Sequence, residues 1–104
     1  KLLASGKEIT AIYAGNDIMA LGVYDELEAR ALKCGKDISI VGFDDMPFAD
    51  KFSPPLTTVH TPMISVGTEA ARILIDKINN NSIPARTIKL KPELIVRKST
   101  GPVR

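Results

Sequence analysis

Two short apolar runs rich in β-branched residues, separated by a segment of helical periodicity, constrain the fold of this chain most. The runs cover residues 9–15 and 38–43, and each suits a strand that is buried on both faces of a sheet. Between them, from Ile18 to Lys33, apolar residues recur at helical spacing and charged residues take the outer face. A strand, a helix and a strand in this order form a right-handed βαβ unit, so the sequence predicts an α/β fold with parallel strands.

The remainder of the chain continues this alternation of elements. Residues 46–55 contain three prolines and predict an irregular loop. Thr61 and Pro62 are typical of a helix start, with Thr61 as N-cap, and the apolar residues that follow recur at helical spacing as far as Ile78. Further strands are predicted over residues 56–60, 87–90 and 93–97.

Composition allows one modest core and argues against several functions. The chain has 104 residues, of which 44% are hydrophobic. Its net charge is +2, but the basic residues form no run that would track a phosphate backbone. One cysteine and one histidine cannot complete a zinc site, so we expect neither metal nor cofactor. No apolar stretch is long enough to span a membrane.

The first residues indicate that the chain is cut from a longer protein. It does not begin with Met, and residues 1–6 resemble the last turn of a helix. Gly6 is expected to close that turn, because glycine tolerates the left-handed conformation that a helix end needs.

Polar side chains follow the first two predicted strands, where each strand ends. Asn16 and Asp17 follow the first, and Asp44 and Asp45 follow the second. Ligands bind beyond the carboxyl ends of parallel strands, and amide and carboxylate groups suit the neighbouring hydroxyls of a sugar or polyol. Two alternatives stay open, since Asp17 also suits the helix N-cap and Asp45 also suits a solvated loop.

Other reactive residues have ordinary structural interpretations. His60 is expected to be a hydrogen-bonded structural residue, and Cys34 a small buried apolar residue. Ser39 lacks the glycine elbow of a nucleophile, and Gly22 is expected to let the helix pack closely on the sheet. No catalytic residue emerges, so the sequence predicts that the chain is not an enzyme.

Four segments resemble the lactose/galactose repressor family of bacterial transcription regulators. Three of them, in order along the chain, read AIYAGNDIMALG (residues 11–22), DISIVGFDD (37–45) and PPLTTV (54–59). The ending LIVRKST (94–100) is similar to the last strand of that family. Together the segments extend over nearly the whole chain.

This resemblance implies a periplasmic-binding-protein-like (type I) sensor domain, in which a parallel sheet is flanked by helices. The chain would be an incomplete fragment of that effector-binding domain. Residues 1–59 and 93–104 would belong to the C-terminal lobe, and residues 60–92 would cross into the N-terminal lobe. The helix-turn-helix DNA-binding domain of the family would lie outside this chain.

The resemblance also assigns residues. Asn16 and Asp44 match the sugar-contacting positions, and Thr61 stands at the crossover, where the family often has a longer polar residue that touches ligand. Asp17 and Phe43 are further candidates for the ligand site. The positions at which the family pairs its C-terminal lobes into dimers are Leu21, Tyr24 and Phe52.

The function implied is the ligand-sensing part of a cytoplasmic transcription repressor. Its partners would be a sugar or related polyol, a second copy of the chain as a homodimer, and DNA through the separate helix-turn-helix, with no membrane partner. One alternative is a fragment of a secreted sugar-binding transport protein. Another is a receiver or phosphotransfer domain that would use Asp44 and Asp45 with magnesium.

Overall fold

Four strands and two α-helices form the regular structure of residues 2–103, the part of the chain that the computed structural model describes. The strands are β1 (Ala11–Tyr13), β2 (Ser39–Asp44), β3 (Thr57–His60) and β4 (Glu93–Ile95). The helices are α1 (Asp17–Ala29) and α2 (Met63–Asn79), and short 3₁₀ turns lie at Leu2–Ala4 and Ala49–Lys51.

The strands form one sheet in the order β1-β2-β3-β4. β1 pairs with β2 and β2 with β3 in parallel, which confirms the predicted βαβ unit. β4 pairs antiparallel with β3, so that His60 lies opposite Glu93. The carboxyl ends of β1, β2 and β3 therefore share one edge of the sheet.

The core lies between α1 and the sheet. Ala20 and Leu27 of α1 are buried, as are Ile40 of β2 and Leu56, which immediately precedes β3. In the sequence α1 connects β1 to β2, and its apolar face packs against β2 in the sheet. This packing holds the polar turn between β1 and α1 beside the ends of the neighbouring strands.

The chain divides into two compact units. The first, the sheet unit, comprises residues 2–60 and 93–103 of the described chain and holds the sheet, α1 and the core. The second, the helical unit, comprises residues 61–92. No residue of α2 is buried, and Ile64 and Ile78 are 87% and 72% exposed. The assignment of these segments to two lobes stays a prediction.

Two predictions in the helical unit are wrong. Residues 87–90 form no strand, because alternation of apolar and polar residues gives no ladder without a neighbouring strand to pair with. Thr61 is not the N-cap of α2, which begins at Met63 after Pro62 and has no side-chain capping bond. Instead the carbonyl of Thr61 accepts a hydrogen bond from the Met63 amide at 2.7 Å.

The first helix ends four residues earlier than its periodicity predicts. Ala31 adopts a left-handed conformation (φ 56°), which stops the helix. The Ala31 amide donates to the Glu28 carbonyl at 3.0 Å and the Leu32 amide to the Leu27 carbonyl at 2.9 Å. These two bonds form a Schellman motif, whose left-handed residue is usually glycine.

Two glycine predictions have different outcomes. Gly6 is left-handed (φ 73°) as expected, although it follows a 3₁₀ turn rather than an α-helix, and Lys1 lies outside the described residues. The close packing expected at Gly22 is wrong, because a Cβ added there would meet no atom within 4 Å. The tight approach is at Gly42, where an added Cβ would collide with the Asp17 carboxylate and lie 2.9 Å from Leu56 Cδ2.

Candidate functional site

Asn16 is the residue that caps α1. Its backbone is extended, and its Oδ1 accepts a hydrogen bond from the Met19 amide at 2.7 Å. The prediction of Asp17 as the cap was therefore wrong by one residue, because the backbone is already helical at Asp17. The cap fixes the Asn16 side chain at the carboxyl end of β1. It does not use the Asn16 amide nitrogen, which suits donation to a ligand hydroxyl.

Asp17 is a buried structural residue and is not exposed at the edge of the sheet. The residue is 0% exposed, and its two oxygens accept from Thr58 Oγ1 at 2.6 Å and from the Met46 amide at 2.7 Å. These bonds tie the start of α1 to β3 and to the loop after β2. The structure does not support Asp17 as a ligand contact, because both carboxylate oxygens are already engaged below the surface.

The backbone turns abruptly where β2 ends. Asp44 is the last residue of β2 and lies opposite His60 in the register of the parallel strands. Asp44 and Asp45 both have positive φ angles, of 98° and 53°. Phe43, opposite Val59, is half-buried. Asp44 therefore stands at the shared carboxyl edge in a conformation that residues other than glycine seldom adopt.

Asp45 is held by two side chains, one from the last residue of β3 and one from just after β4. We call Asp45, His60 and Arg97 the Asp45 clamp. Asp45 Oδ1 accepts from Arg97 Nη2 at 2.8 Å, and Asp45 Oδ2 lies 3.0 Å from His60 Nδ1. Burial alone would raise the pKa of Asp45, but hydrogen bonds and charge from Arg97 and His60 outweigh it and hold that pKa below its ordinary value. Asp45 is thus an anchored carboxylate and not a solvated loop residue.

Arg97 is the member of this cluster that sequence reasoning missed. Its Nη1 donates to the Leu56 carbonyl at 2.8 Å, and its backbone amide donates to Thr57 Oγ1 at 2.9 Å. Arg97 follows β4, and the sequence does not reveal that β4 returns antiparallel beside β3. The available signal was a single arginine directly after an apolar run. His60 is hydrogen-bonded, as predicted.

Cys34 and Tyr24 lie away from this edge and show no sign of reactivity. Cys34 is half-buried, with its Sγ 3.7 Å from the Ser99 carbonyl, and burial raises the pKa of its thiol. Desolvation likewise raises the pKa of the Tyr24 hydroxyl, which donates to the Pro54 carbonyl at 2.8 Å. Both groups therefore stay protonated near neutral pH, as the structural interpretation of Cys34 requires.

The remaining predicted site residues are placed as follows. Thr61 is the first residue of the helical unit. Of the predicted dimer contacts, Leu21 is half exposed on α1, whereas Phe52 is only 9% exposed and packs edge-on against Tyr24 with ring centroids 4.8 Å apart. Most of the surface of Phe52 and Tyr24 is buried within their own chain. Of these three residues, Leu21 therefore has the most exposed surface for a partner to contact.

Residues 2–103 contain neither a metal-binding cluster nor a membrane-spanning helix. Within that range no three His, Cys, Asp or Glu side chains are grouped so that they could hold a metal ion. Neither described helix has the length and apolar character needed to cross a membrane.

Comparison with known proteins identifies the family. The sequence model of one protein family, the periplasmic binding protein-like domain, matches residues 3–100. The chain belongs to this family. The HTH-type transcriptional repressor PurR of Vibrio parahaemolyticus is 37% identical to it over 99 residues, which are 95% of this chain and 30% of that protein.

Solved structures of LacI family regulators share the fold. A LacI family transcriptional regulator from Enterococcus faecalis with bound ribose superposes with a TM-score of 0.91 at 33% identity, over 99% of this chain and 38% of that one. The lac repressor dimer bound to operator and the anti-inducer ONPF gives 0.87 at 31% identity, over 97% and 35%.

The chain thus corresponds to part of the effector-binding region of lactose/galactose repressor family regulators, and it spans about a third of the length of these relatives.

Proposed function

We propose that this chain is the ligand-sensing part of a bacterial transcription repressor and that it binds a sugar or related polyol. The observation that carries the proposal is the carboxyl edge of the sheet, where Asp44 is the last residue of β2 and Asn16 caps α1 in the turn that follows β1. An aspartate accepts hydrogen bonds from two hydroxyls, and an asparagine amide donates one. A polyol supplies both kinds of partner on adjacent carbons.

The site binds its ligand and does not transform it. The Thr58 hydroxyl bonds the Asp17 carboxylate, but both residues are fully buried and out of reach of a ligand. The Asp45 carboxylate is engaged by His60 and Arg97. An effector that prefers one arrangement of the two lobes would shift the equilibrium between DNA-competent and DNA-incompetent forms of the repressor. Thr61, at the start of the helical unit, is proposed as a further ligand contact.

The whole regulator is proposed to work in the cytoplasm as a homodimer that contains Leu21 in its interface. Operator binding would use a helix-turn-helix outside this chain. The relatives named above are repressors or regulators of this kind, which favours that assembly over a secreted transport protein. The phosphotransfer alternative is disfavoured, because both oxygens of Asp45 are engaged by protein side chains rather than open to magnesium.

The test is calorimetric titration of the full-length protein with ribose, galactose, cellobiose and adenosine, followed by Asp44→Ala. Losing a charged hydrogen-bond acceptor costs about 1.5–3 kcal/mol, so the best ligand should bind roughly 10- to 100-fold more weakly. Asp50→Ala is the matched control, since Asp50 is an exposed acid of the sheet unit that pairs with its exposed neighbour Lys51.

Three results separate the possibilities. Ribose, galactose or cellobiose that binds and also changes operator affinity supports a sugar-responsive repressor. If adenosine alone binds, the sugar assignment is wrong. If Asp44→Ala binds the best ligand as tightly as the wild type, Asp44 does not belong to the site.

A further inference from the structure

The turn at Asp44 and Asp45 is costly for the residues that form it. An L-residue at positive φ is strained, because its Cβ approaches the neighbouring carbonyl too closely. Asp tolerates the left-handed region better than most residues, but the φ of 98° at Asp44 lies beyond the centre of that region. Conformations of this kind persist only where the surrounding structure fixes them, and they cluster at ligand sites.

Contacts of the segment after Asp44 help to fix this turn. Arg97 and His60 hold the Asp45 carboxylate from the ends of β4 and β3, and the Asp45 amide donates to Thr58 Oγ1 at 3.4 Å. The next amide, of Met46, donates to the buried Asp17 carboxylate at 2.7 Å. The chain after Asp44 is therefore tied down at two successive residues.

Arg97 is well suited to serve as the fixed point. Its Nη1 donates to the Leu56 carbonyl and its backbone amide donates to Thr57 Oγ1, so two bonds besides the one to Asp45 hold it against the sheet. His60 ends β3 in register with Asp44. Both partners are thus part of the sheet framework, and the loop is attached to them.

We propose that the Asp45 clamp positions Asp44 for the ligand: Arg97 and His60 hold the Asp45 carboxylate, and this fixes the backbone turn that presents the Asp44 carboxylate. The proposal rests on the proposed function, because it assigns a task relative to the ligand. Asp45, His60 and Arg97 are positioning residues that act through Asp44. Preorganisation of this kind reduces the ordering cost that would otherwise be subtracted from ligand affinity.

The first experiment compares Asp45→Asn with the wild type by calorimetric titration of the full-length protein, using the tightest-binding member of ribose, galactose, cellobiose and adenosine. Asn keeps the size of Asp and tolerates positive φ, but it loses the charge that Arg97 pairs with. We expect binding to weaken about 5- to 20-fold, which is less than the loss expected for Asp44→Ala, because Asp45 acts on the ligand only through the turn. Asp50→Asn, an exposed acid of the same unit, should bind like the wild type.

A double-mutant cycle separates positioning from a general structural effect. If the clamp acts only through Asp44, then Asp45→Asn should weaken binding less than twofold in the Asp44→Asn background. If it acts by loosening the whole domain, the two losses should multiply. Arg97→Lys, which keeps the charge, should retain more affinity than Arg97→Gln.

The outcomes are distinct for the clamp and for the function. If the wild type binds no ligand of the panel, both proposals fail. If the wild type binds and Asp44→Asn weakens binding, but Asp45→Asn matches the wild type or the cycle is additive, only the clamp proposal fails. Should Asp45→Asn not fold, His60→Phe replaces it, because His60 is 45% exposed and Phe keeps the ring without its nitrogens. Wild-type affinity in His60→Phe then overturns the proposal.

Discussion

Three aspartates lie within one small region of the sheet edge, and the hydrogen-bond partners of two of them show what those two do in the fold. Asp17 is buried and bonded to Thr58 and to the Met46 amide, so it stabilises the fold. Asp45 is bonded to Arg97 and His60, so it is fixed but not internal. Asp44 ends β2 beside them, and it is the one proposed for the ligand. Residue type alone does not separate these roles.

Ala31 offers a direct test of backbone conformation at the residue scale. It occupies the left-handed position of the Schellman motif that ends α1, at φ 56°. Ala31→Gly should relieve about 1–2 kcal/mol of strain in the folded state. The greater conformational freedom of glycine in the unfolded chain should offset about 0.5–1 kcal/mol of this gain in stability. The net expectation is a gain of about 0.5–1 kcal/mol in the free energy of unfolding, measured by urea denaturation.

A neighbouring alanine supplies the control for this prediction. Ala29 is the last helical residue of α1 and is exposed. Ala29→Gly should lower the free energy of unfolding, because glycine is a poorer helix former than alanine. Destabilisation by both substitutions would contradict the explanation based on positive φ.

The elements themselves were largely predictable, and their ends were not. The periodicity of α1 and the apolar run of β2 predict a βαβ unit, and that unit is present. Residues 87–90 show equally good alternation and form no strand, because pairing depends on a neighbour that local sequence does not specify. The Asp45 clamp escaped prediction for the same reason, since Arg97 reaches it through a long-range strand pairing.

Substitution by alanine at Gly22 and at Gly42 compares a glycine with open space around it and a glycine in close packing. Gly42→Ala in β2 should place a methyl group against the Asp17 carboxylate and Leu56, and overpacking of this kind costs about 1–3 kcal/mol. Gly22→Ala in α1 meets open space and should add up to about 1 kcal/mol of stability through helix propensity. Thermal unfolding of both variants measures the difference, and the same sign for both would refute the packing argument.

At the scale of the whole molecule, burial is divided unequally between the two units. The core lies in the sheet unit, while α2 has no buried residue and exposes apolar side chains, among them Met63, Ile64, Leu74, Ile75 and Ile78. A helix without buried contacts opens at low cost. The amphipathic pattern of α2 was predictable, but the sequence of this chain contains no information about what covers its apolar face.

Hydrogen exchange of the 104-residue chain tests this division. Amides of α2 should exchange much faster than those of α1, since local opening of α2 exposes little new apolar surface. The same amides in the full-length protein serve as the comparison, and they should be more strongly protected if other residues cover the helix. Equal protection of α1 and α2 in the 104-residue chain would contradict the expectation.

The register of β3 and β4 has a consequence for how the two units are joined. His60 and Glu93, the residues on either side of the helical unit, lie opposite one another in antiparallel strands. Viewed from the sheet, residues 61–92 therefore occupy the place of a hairpin loop, and a two-residue turn such as Asn-Gly could connect the same strands. The helical unit is in this sense an insertion, and we expect changes in its length and content to leave intact the strand pairing that holds Arg97 against Asp45.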